Sequence, residues 1–135
     1  MSQEIEPTPP SGTEAPTILF VEQDILVRML IAEYLRACGY KVIEAVSADD
    51  VLLVLRAGNK VQLIFVRLRT EGGIDGFGLA KQVRDTYPDI DVVLTSGVQN
   101  AANKVGDLCE RGPSEKPYHA QELVHRINLL RANRR

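Results

Sequence analysis

The chain is poor in the residues on which many specialised sites depend. It has no tryptophan, two cysteines, two histidines and only 5 % aromatic residues. Neither cysteine lies in a Cys-x-x-Cys motif or a Cys/His cluster, which argues against a zinc site. No apolar run reaches the roughly 18 residues that a helix needs to span a bilayer. The formal net charge of −2 provides no strong attraction to nucleic acid or anionic lipid.

The two cysteines and the amino terminus indicate the cellular compartment. The amino terminus has no basic segment followed by an apolar one, so no secretory signal peptide is predicted. We therefore expect a cytoplasmic protein. In that reducing environment Cys38 and Cys109 are expected to be small buried hydrophobic residues with free thiols.

Composition divides the chain into three parts. Residues 1–16 are rich in Pro, Ser, Thr, Glu and Gly and have few large apolar side chains, so we expect a disordered arm. Residues 17–131 carry the regular apolar patterns of one globular domain. Residues 132–135 form a short basic tail, which is expected to be solvated.

Short apolar runs alternate with segments of helical periodicity through the domain. The predicted strands are "TILFV", "YKVIEA", "QLIFVRL", "DVVLTSG" and "PSEKPY", each followed by a helix. The fourth helix, in "VQNAANKVGDLCERG", is expected to be short because it has few large apolar positions. Alternating strands and helices predict an α/β protein with a parallel sheet covered on both faces. Right-handed crossovers favour a doubly wound, five-stranded sheet with strand order 2-1-3-4-5.

A sheet of this kind places its functional site at the carboxyl ends of the strands beside the switch point. Polar residues follow the strands at these positions. They are Glu22 and Gln23 after strand 1, Arg67 after strand 3, Thr95 and Ser96 after strand 4, and Lys116 after strand 5.

Three stretches of sequence resemble the response-regulator receiver domain of two-component signalling. They are "ILFVEQDILVRMLIAEYLRACGYKVIEA", "GGIDGFGLAKQVRDTYPDIDVVLTSG", and "EKPY" followed by "QEL". The resemblance covers about residues 17–131. It implies a flavodoxin-like receiver fold of five βα units and a role in a phosphorelay.

The resemblance also implies the residues of a phosphorylation site, which this chain retains only in part. In the family, an acidic pair after strand 1 holds Mg²⁺ and an aspartate at the end of strand 3 accepts the phosphoryl group. Glu22 matches the first acid, but Gln23 occupies the place of the second. Ser96 matches the switch hydroxyl and Lys116 the family lysine. Arg67 occupies the phosphoacceptor position.

The alignment at strand 3 is anchored by the Asp75–Gly76 pair downstream, and other departures accompany it. Asp24 lies one place beyond the acidic pair and is expected to cap the first helix. Glu71 replaces the family proline after strand 3. Pro113 occupies the place of the family's aromatic switch residue.

An arginine at the acceptor position changes the expected chemistry. Arginine offers no nucleophile, and Mg²⁺ prefers oxygen ligands that include carboxylates. A divalent ion 4 Å from a guanidinium would be repelled by roughly 8 kcal/mol at an effective dielectric near 20. We therefore predict no phosphorylation at Arg67, no metal or other cofactor, and an ion pair between Arg67 and Glu22. In the alternative interpretation, Arg67 extends into solvent without a partner.

These features predict a non-enzymatic, stand-alone pseudo-receiver that acts by protein–protein contact. We expect no second domain after the last helix, and the output is therefore expected to be a protein–protein contact. The expected partner is a histidine kinase, a phosphotransfer protein, another regulator or a second copy, with no nucleic acid or membrane contact. The resemblance implies a contact face of helix 4, strand 5 and helix 5, which would present Asp107, Tyr118, Glu122 and Arg126.

Two alternatives use the same architecture. One is a flavodoxin-like ligand-binding protein or small enzyme, but the acidic "EQD" after strand 1 would repel a flavin phosphate. No Ser-His-Asp or Cys-His arrangement is apparent, and His119 and His125 are expected at the surface. The other is a family member controlled by a different modification, by pH or by a small ligand.

Overall fold

The computed structural model describes residues 15–69, 73–112 and 120–132, in which strands and helices alternate as far as the fourth helix. No helix in these residues has the length and apolar character needed to cross a membrane. The elements in chain order are β1 (Thr17–Val21), α1 (Ile25–Ala37), β2 (Lys41–Ala45), α2 (Ala48–Arg56), β3 (Leu63–Arg67), α3 (Gly76–Thr86), β4 (Asp91–Thr95), α4 (Val98–Glu110) and α5 (Ala120–Ala132).

The four described strands form one parallel sheet in the order β2-β1-β3-β4. The register aligns Leu19 of β1 with Ile43 of β2 and Ile64 of β3. This order confirms the first four positions of the predicted 2-1-3-4-5 sheet. The predicted fifth strand, in "PSEKPY", lies outside the described residues and stays a prediction, as does disorder of residues 1–14.

Side-chain caps start the first three helices directly after the loops at the carboxyl ends of the strands. Asp24 Oδ1 accepts the backbone N–H of Leu26 at 3.1 Å, as its predicted capping role requires. Ser47 begins α2 in the same way, and Asp75 begins α3 by accepting the N–H of Gly78 at 2.8 Å. These caps set where each loop ends and therefore where its polar side chains lie.

Two apolar layers cover the sheet, one on each face. The layer on what we call the α1 face packs α1, α4 and α5 against side chains such as Phe20 and Phe65. The layer on what we call the α2 face packs α2 and α3 against Leu19, Ile64 and Val66. Helices on both faces confirm the predicted doubly covered sheet.

The position of α4 differs from the arrangement that right-handed connections favour. A right-handed crossover from β4 to a parallel strand outside it would place α4 on the α2 face. Instead α4 lies on the α1 face, where Ala102 and Val105 are fully buried beside α1 and α5. The expectation that α4 is short is wrong, since it has 13 residues. Its buried stripe includes small residues, Ala101, Ala102 and Gly106, which a search for large apolar side chains undercounts.

A disulfide joins Cys38 to Cys109, so the expectation of two free thiols is wrong. The Cα atoms are 5.6 Å apart although 71 residues separate the two cysteines along the chain. Cys38 is the C-cap residue of α1, and Cys109 lies in the last turn of α4. The pairing depends on α4 lying on the α1 face, which sequence spacing does not predict.

A hydrogen bond from Tyr40 connects the residue before β2 to the carboxyl end of α4. Its hydroxyl donates to the carbonyl O of Leu108 at 3.0 Å, and its ring is buried. Burial raises the pKa of the Tyr40 phenol above its usual 10.0, and the nearby Arg111 guanidinium opposes this increase. The folded chain therefore favours the neutral phenol, which is the form that can donate to Leu108.

We predict that Tyr40 makes stability fall at alkaline pH. Because its pKa is higher in the folded than in the unfolded chain, its contribution is complete below about pH 10 and is lost as pH rises through the folded value. Urea unfolding across this range should show a smaller alkaline decline for Tyr40→Phe than for the wild type. Tyr87→Phe, on the other sheet face, is the matched control. An equal decline in Tyr40→Phe would contradict the prediction.

Candidate functional site

The carboxyl ends of β1, β3 and β4 bring predicted polar residues to one edge of the sheet. Glu22 follows β1, Arg67 is the last residue of β3, and the β3–β4 register places Arg67 opposite Thr95. The parallel arrangement makes this convergence unavoidable, because all three strands end on the same side. Ser96 and Gln23 are exposed at this edge, whereas Thr95 is buried.

Glu22 is a buried carboxylate whose polar groups have defined partners. Only 5 % of the residue is exposed. Its Oε1 lies 2.9 Å from Arg67 Nη2, and its Oε2 accepts the backbone N–H of Asp24 at 2.9 Å. Its backbone N–H donates to the carbonyl O of Ala45 at 3.0 Å. These contacts stabilise the charged carboxylate in a place where water has little access.

Arg67 is the cation that balances this buried charge. The ion pair predicted from the sequence is confirmed, and the alternative of an unpartnered Arg67 in solvent is wrong. We call the site at the carboxyl ends of β1, β3 and β4 the crevice. The Arg67 side chain is 37 % exposed, so its guanidinium lies between this crevice and solvent. Among the described residues, its Nε is a buried nitrogen without a hydrogen-bond partner. The pairing with Glu22 uses one terminal nitrogen of the guanidinium.

Gly76 allows the start of α3 to approach the end of β3. A Cβ at Gly76 would overlap the carbonyl O of Arg67. The Gly76 N–H donates to the carbonyl O of Leu68 at 3.1 Å, which ties the two elements together. The Asp75–Gly76 pair thus combines a helix cap with a close backbone contact, and both requirements lie next to Arg67.

Arg28 is a residue of this site that sequence reasoning missed. Its Nη1 donates to the carbonyl O of Glu22 at 3.0 Å, and its Nε lies 3.2 Å from Glu44 Oε1. It therefore holds the backbone of the acidic loop from the α1 side. Its position one helical turn after the Asp24 cap was the available signal, because that turn faces back toward the loop.

The remaining predicted residues are separated or lie outside the described chain. The Ser96 N–H donates to Asn100 Oδ1 at 3.0 Å, which fastens the loop after β4 to α4. His125 is exposed, as predicted. Asp107 and Glu122 are exposed on α4 and α5, which pack together on the α1 face, and Arg126 is exposed on α5. Residues outside the described ranges are Glu71, Pro113, Lys116, Tyr118 and His119.

The residues at this edge do not fit the magnesium ion of a phosphorylation site. Glu22 Oε1 is paired with Arg67, and its Oε2 is occupied by the N–H of Asp24. Gln23 adds no negative charge, and the Arg67 guanidinium would repel the ion. In the described ranges, no group of three or more His, Cys, Asp or Glu side chains is arranged to hold a metal.

Comparisons with known proteins point to one family. The family model described as the response regulator receiver domain matches residues 18–128. The transcriptional regulatory protein AruR of Pseudomonas aeruginosa is 30% identical over 124 residues, covering 86% of this chain and 50% of that protein. The nitrogen assimilation regulatory protein NtrX of Azorhizobium caulinodans is 32% identical over 111 residues, covering 79% of this chain and 24% of that protein.

A solved structure supports the same relationship. The receiver domain of NtrX from Brucella abortus is 25% identical and has a TM-score of 0.55 to this chain. The likeness covers 82% of this chain and 94% of that one. The chain spans half or less of the two curated relatives above, so the similarity concerns the receiver portion of those proteins.

We predict that Arg67→Met lowers the free energy of unfolding by about 2 kcal/mol, because it leaves the buried Glu22 carboxylate unpaired. The effect should be smaller than for a fully buried pair, since Arg67 is partly solvated. Urea unfolding at neutral pH measures it. Arg69→Met, an exposed arginine two residues away, is the matched control. The double variant Arg67→Met with Glu22→Gln should recover at least half of the loss; no recovery would contradict the pairing argument.

We also predict that the wild-type chain does not bind Mg²⁺ in the micromolar to low-millimolar range. The reason is the fixed guanidinium beside the single carboxylate. Isothermal titration of the folded chain with MgCl₂ should give only heats of dilution. Saturable binding that is lost in Glu22→Gln would show that Arg67 does not exclude the ion.

Proposed function

Because the chain belongs to the response-regulator receiver family, we propose that it is a pseudo-receiver of two-component signal transduction that is not phosphorylated at position 67. The observation that carries this proposal is the ion pair between Arg67 and Glu22 at the carboxyl end of β3. A guanidinium cannot attack phosphorus, and here it is engaged with the acid that would otherwise help to hold a metal.

Two features support placing Arg67 at the acceptor position. The family match runs from residue 18 to residue 128 and so includes β3 and its neighbours on both sides. The pairing of Arg67 with Thr95 puts it at the sheet edge, and a slip of one residue would exchange the faces of every β3 side chain. Since Ile64 and Val66 lie in the α2-face layer and Phe65 in the α1-face layer, that slip would exchange the side chains that each layer buries.

We propose that the ion pair takes over the electrostatic role of the metal. A receiver site gathers negative charge that must be balanced by a cation. In this chain the cation is covalently part of β3, so its charge is present without Mg²⁺ and without a phosphoryl donor. Arg28 and the Asp24 N–H add donors that hold the Glu22 loop in the same arrangement. The charge of the crevice therefore does not change with Mg²⁺ or with a phosphoryl donor.

The output of such a protein is a protein–protein contact, and it has no enzymatic activity of its own. The partners we propose are a histidine kinase, a phosphotransfer protein, another regulator or a second copy of the chain. The exposed surface of α4 and α5, with Asp107, Glu122 and Arg126, would contribute to the contact. We propose that the protein acts in the cytoplasm, without contacts to nucleic acid or membrane.

The flavodoxin-like alternative has less support from the crevice. A bound phosphate would face the buried carboxylate of Glu22 instead of a loop of free backbone amides. One amide of this loop, that of Asp24, already donates to Glu22 Oε2.

We predict that acetyl phosphate with Mg²⁺ leaves no acyl phosphate on the wild-type chain, as measured by intact-mass spectrometry. The double variant Arg67→Asp with Gln23→Asp should gain both Mg²⁺ binding and phosphorylation at residue 67, because it supplies the missing nucleophile and second carboxylate. Gln23→Asp alone is the matched control and should gain neither. A stable acyl phosphate on the wild type would refute the proposal. A double variant that gains neither property would show that Arg67 is not at the acceptor position.

A further inference from the structure

The disulfide between Cys38 and Cys109 joins two helices that are far apart in sequence. These are the only two cysteines of the chain, and both are at most 2 % exposed. One lies at the end of α1 and the other in the last turn of α4. The bond therefore joins the carboxyl end of α4 to the carboxyl end of α1, whereas Glu22 of the Arg67–Glu22 pair precedes the amino-terminal end of α1.

Two further contacts act at the same point, and together with the disulfide we call them the α4 anchor. The Tyr40 hydroxyl donates to the carbonyl O of Leu108 at 3.0 Å. Gly112 fits against the carbonyl O of Cys38, where a Cβ would come within 2.8 Å. The anchor thus consists of Cys38, Tyr40, Leu108, Cys109 and Gly112.

The amino-terminal end of α4 has no covalent link and is held by hydrogen bonds. The Ser96 N–H donates to Asn100 Oδ1 at 3.0 Å, and Lys104 Nζ donates to the carbonyl O of Leu94 at 2.9 Å. Asp24, Ser47 and Asp75 provide side-chain caps for α1, α2 and α3, but α4 begins at Gly97 without a side-chain cap bond. The position of α4 therefore depends on its buried stripe, on the two hydrogen bonds at its amino-terminal side and on the anchor at its other end.

The α2-face side of β4 is a second surface on which the apolar stripe of α4 could pack. Val92 and Leu94 of β4 point toward the α2-face layer but are only partly buried. That is the face on which a right-handed crossover would place α4. The disulfide excludes this alternative as long as it is intact, because Cys109 cannot leave Cys38 on the α1 face.

We propose that Cys38 and Cys109 are a redox-responsive pair that sets the position of α4: the disulfide holds α4 on the α1 face, and reduction releases its carboxyl end. Disulfides in reducing compartments are characteristically redox-sensing or transient, which fits the cytoplasmic location proposed above. The cytoplasmic setting and the consequence for partner contacts through α4 rest on the proposed function, whereas the redox response of the purified chain can be measured independently of it.

The chemistry is thiol–disulfide exchange with a low-molecular-weight thiol and its disulfide. A thiolate of the small thiol attacks one of the two sulfurs, the S–S bond breaks, and the other cysteine leaves as a thiolate. A second small thiol resolves the mixed disulfide. Two cysteine thiols and one small-molecule disulfide result, so two electrons pass from the small thiols to the protein. The small-molecule disulfide reverses both steps.

Access to the sulfurs depends on local opening of the anchor. Both sulfurs are buried, while Arg111 at the end of α4 is exposed. Attack therefore requires the last turn of α4 to move away from Tyr40 far enough to expose a sulfur while Cys38 and Cys109 are still joined, which is a local event rather than global unfolding. The hydrogen bond from Tyr40 to Leu108 must break in this event, so it should control the rate of reduction.

The first test compares the oxidised and reduced chain by hydrogen exchange. After reduction with dithiothreitol, backbone amides of α4 should exchange at least about tenfold faster, because the carboxyl end of α4 is no longer tied to Cys38 and local opening of the helix becomes easier. Amides of β1 and β3 should keep their protection. Re-oxidation with glutathione disulfide should restore the original exchange. Unchanged α4 protection after complete reduction, or equal loss of protection in β1 and β3, would overturn the proposal.

The second test needs no cysteine substitution and so does not depend on folding without the bond. The rate at which dithiothreitol reduces the native disulfide is followed by thiol labelling and mass spectrometry. Tyr40→Phe should accelerate reduction about five- to tenfold, which corresponds to one lost hydrogen bond. Tyr87→Phe, on the α2 face, should leave the rate unchanged. Equal rates in the wild type and Tyr40→Phe would show that the anchor does not control the bond.

These readouts separate the redox proposal from the proposed function. Neither hydrogen exchange nor the reduction rate involves phosphorylation, Mg²⁺ or a partner. The double variant Arg67→Asp with Gln23→Asp, which tests the phosphoacceptor position, should keep the same redox response as the wild type. A redox response that disappears in that variant would contradict an anchor that acts independently of the crevice.

Discussion

The buried carboxylate of Glu22 is the constraint around which the polar edge of the sheet is organised. A charge with 5 % exposure is costly unless cations and hydrogen-bond donors surround it. Arg67 supplies the cation from β3, and the backbone N–H of Asp24 donates to the second carboxylate oxygen. Arg28 donates to the carbonyl O of Glu22 and so holds the backbone of the loop. The ends of β1 and β3 and the start of α1 are thereby joined through one side chain. That one acid connects the packing of the fold with the chemistry of the crevice.

A cation supplied by the protein differs from a bound metal in one respect that matters for function. A metal can leave and a phosphoryl group can be added, so a site that uses them can change its charge. Arg67 is covalently part of the strand, so this cation cannot dissociate from the site. A receiver built in this way holds one electrostatic state in its crevice. The part of the structure that we infer to change with redox conditions is α4, which the Cys38–Cys109 bond holds on the α1 face.

Much of the fold and part of the site could be predicted because they depend on local patterns. The strands, their order and the cap at Asp24 follow from periodicities and short-range backbone hydrogen bonds. The Arg67–Glu22 pair was predictable as well, since adjacent parallel strands must bring their ends together. Arg28 was missed because its role depends on how α1 turns over the loop, which composition does not indicate. The length of α4 was underestimated because its buried surface includes small side chains.

The amino-acid sequence by itself determined the layered α/β architecture, the family, and the presence of a positive charge at the end of β3. These features depend on residues that act through their neighbours in the chain or through the geometry common to all parallel sheets. Only the tertiary structure decided that α4 packs on the α1 face and that Cys38 meets Cys109. The physical reason is that helix placement depends on how complementary whole surfaces pack. A cysteine pair separated by 71 residues becomes a disulfide only after that packing has brought the two side chains together.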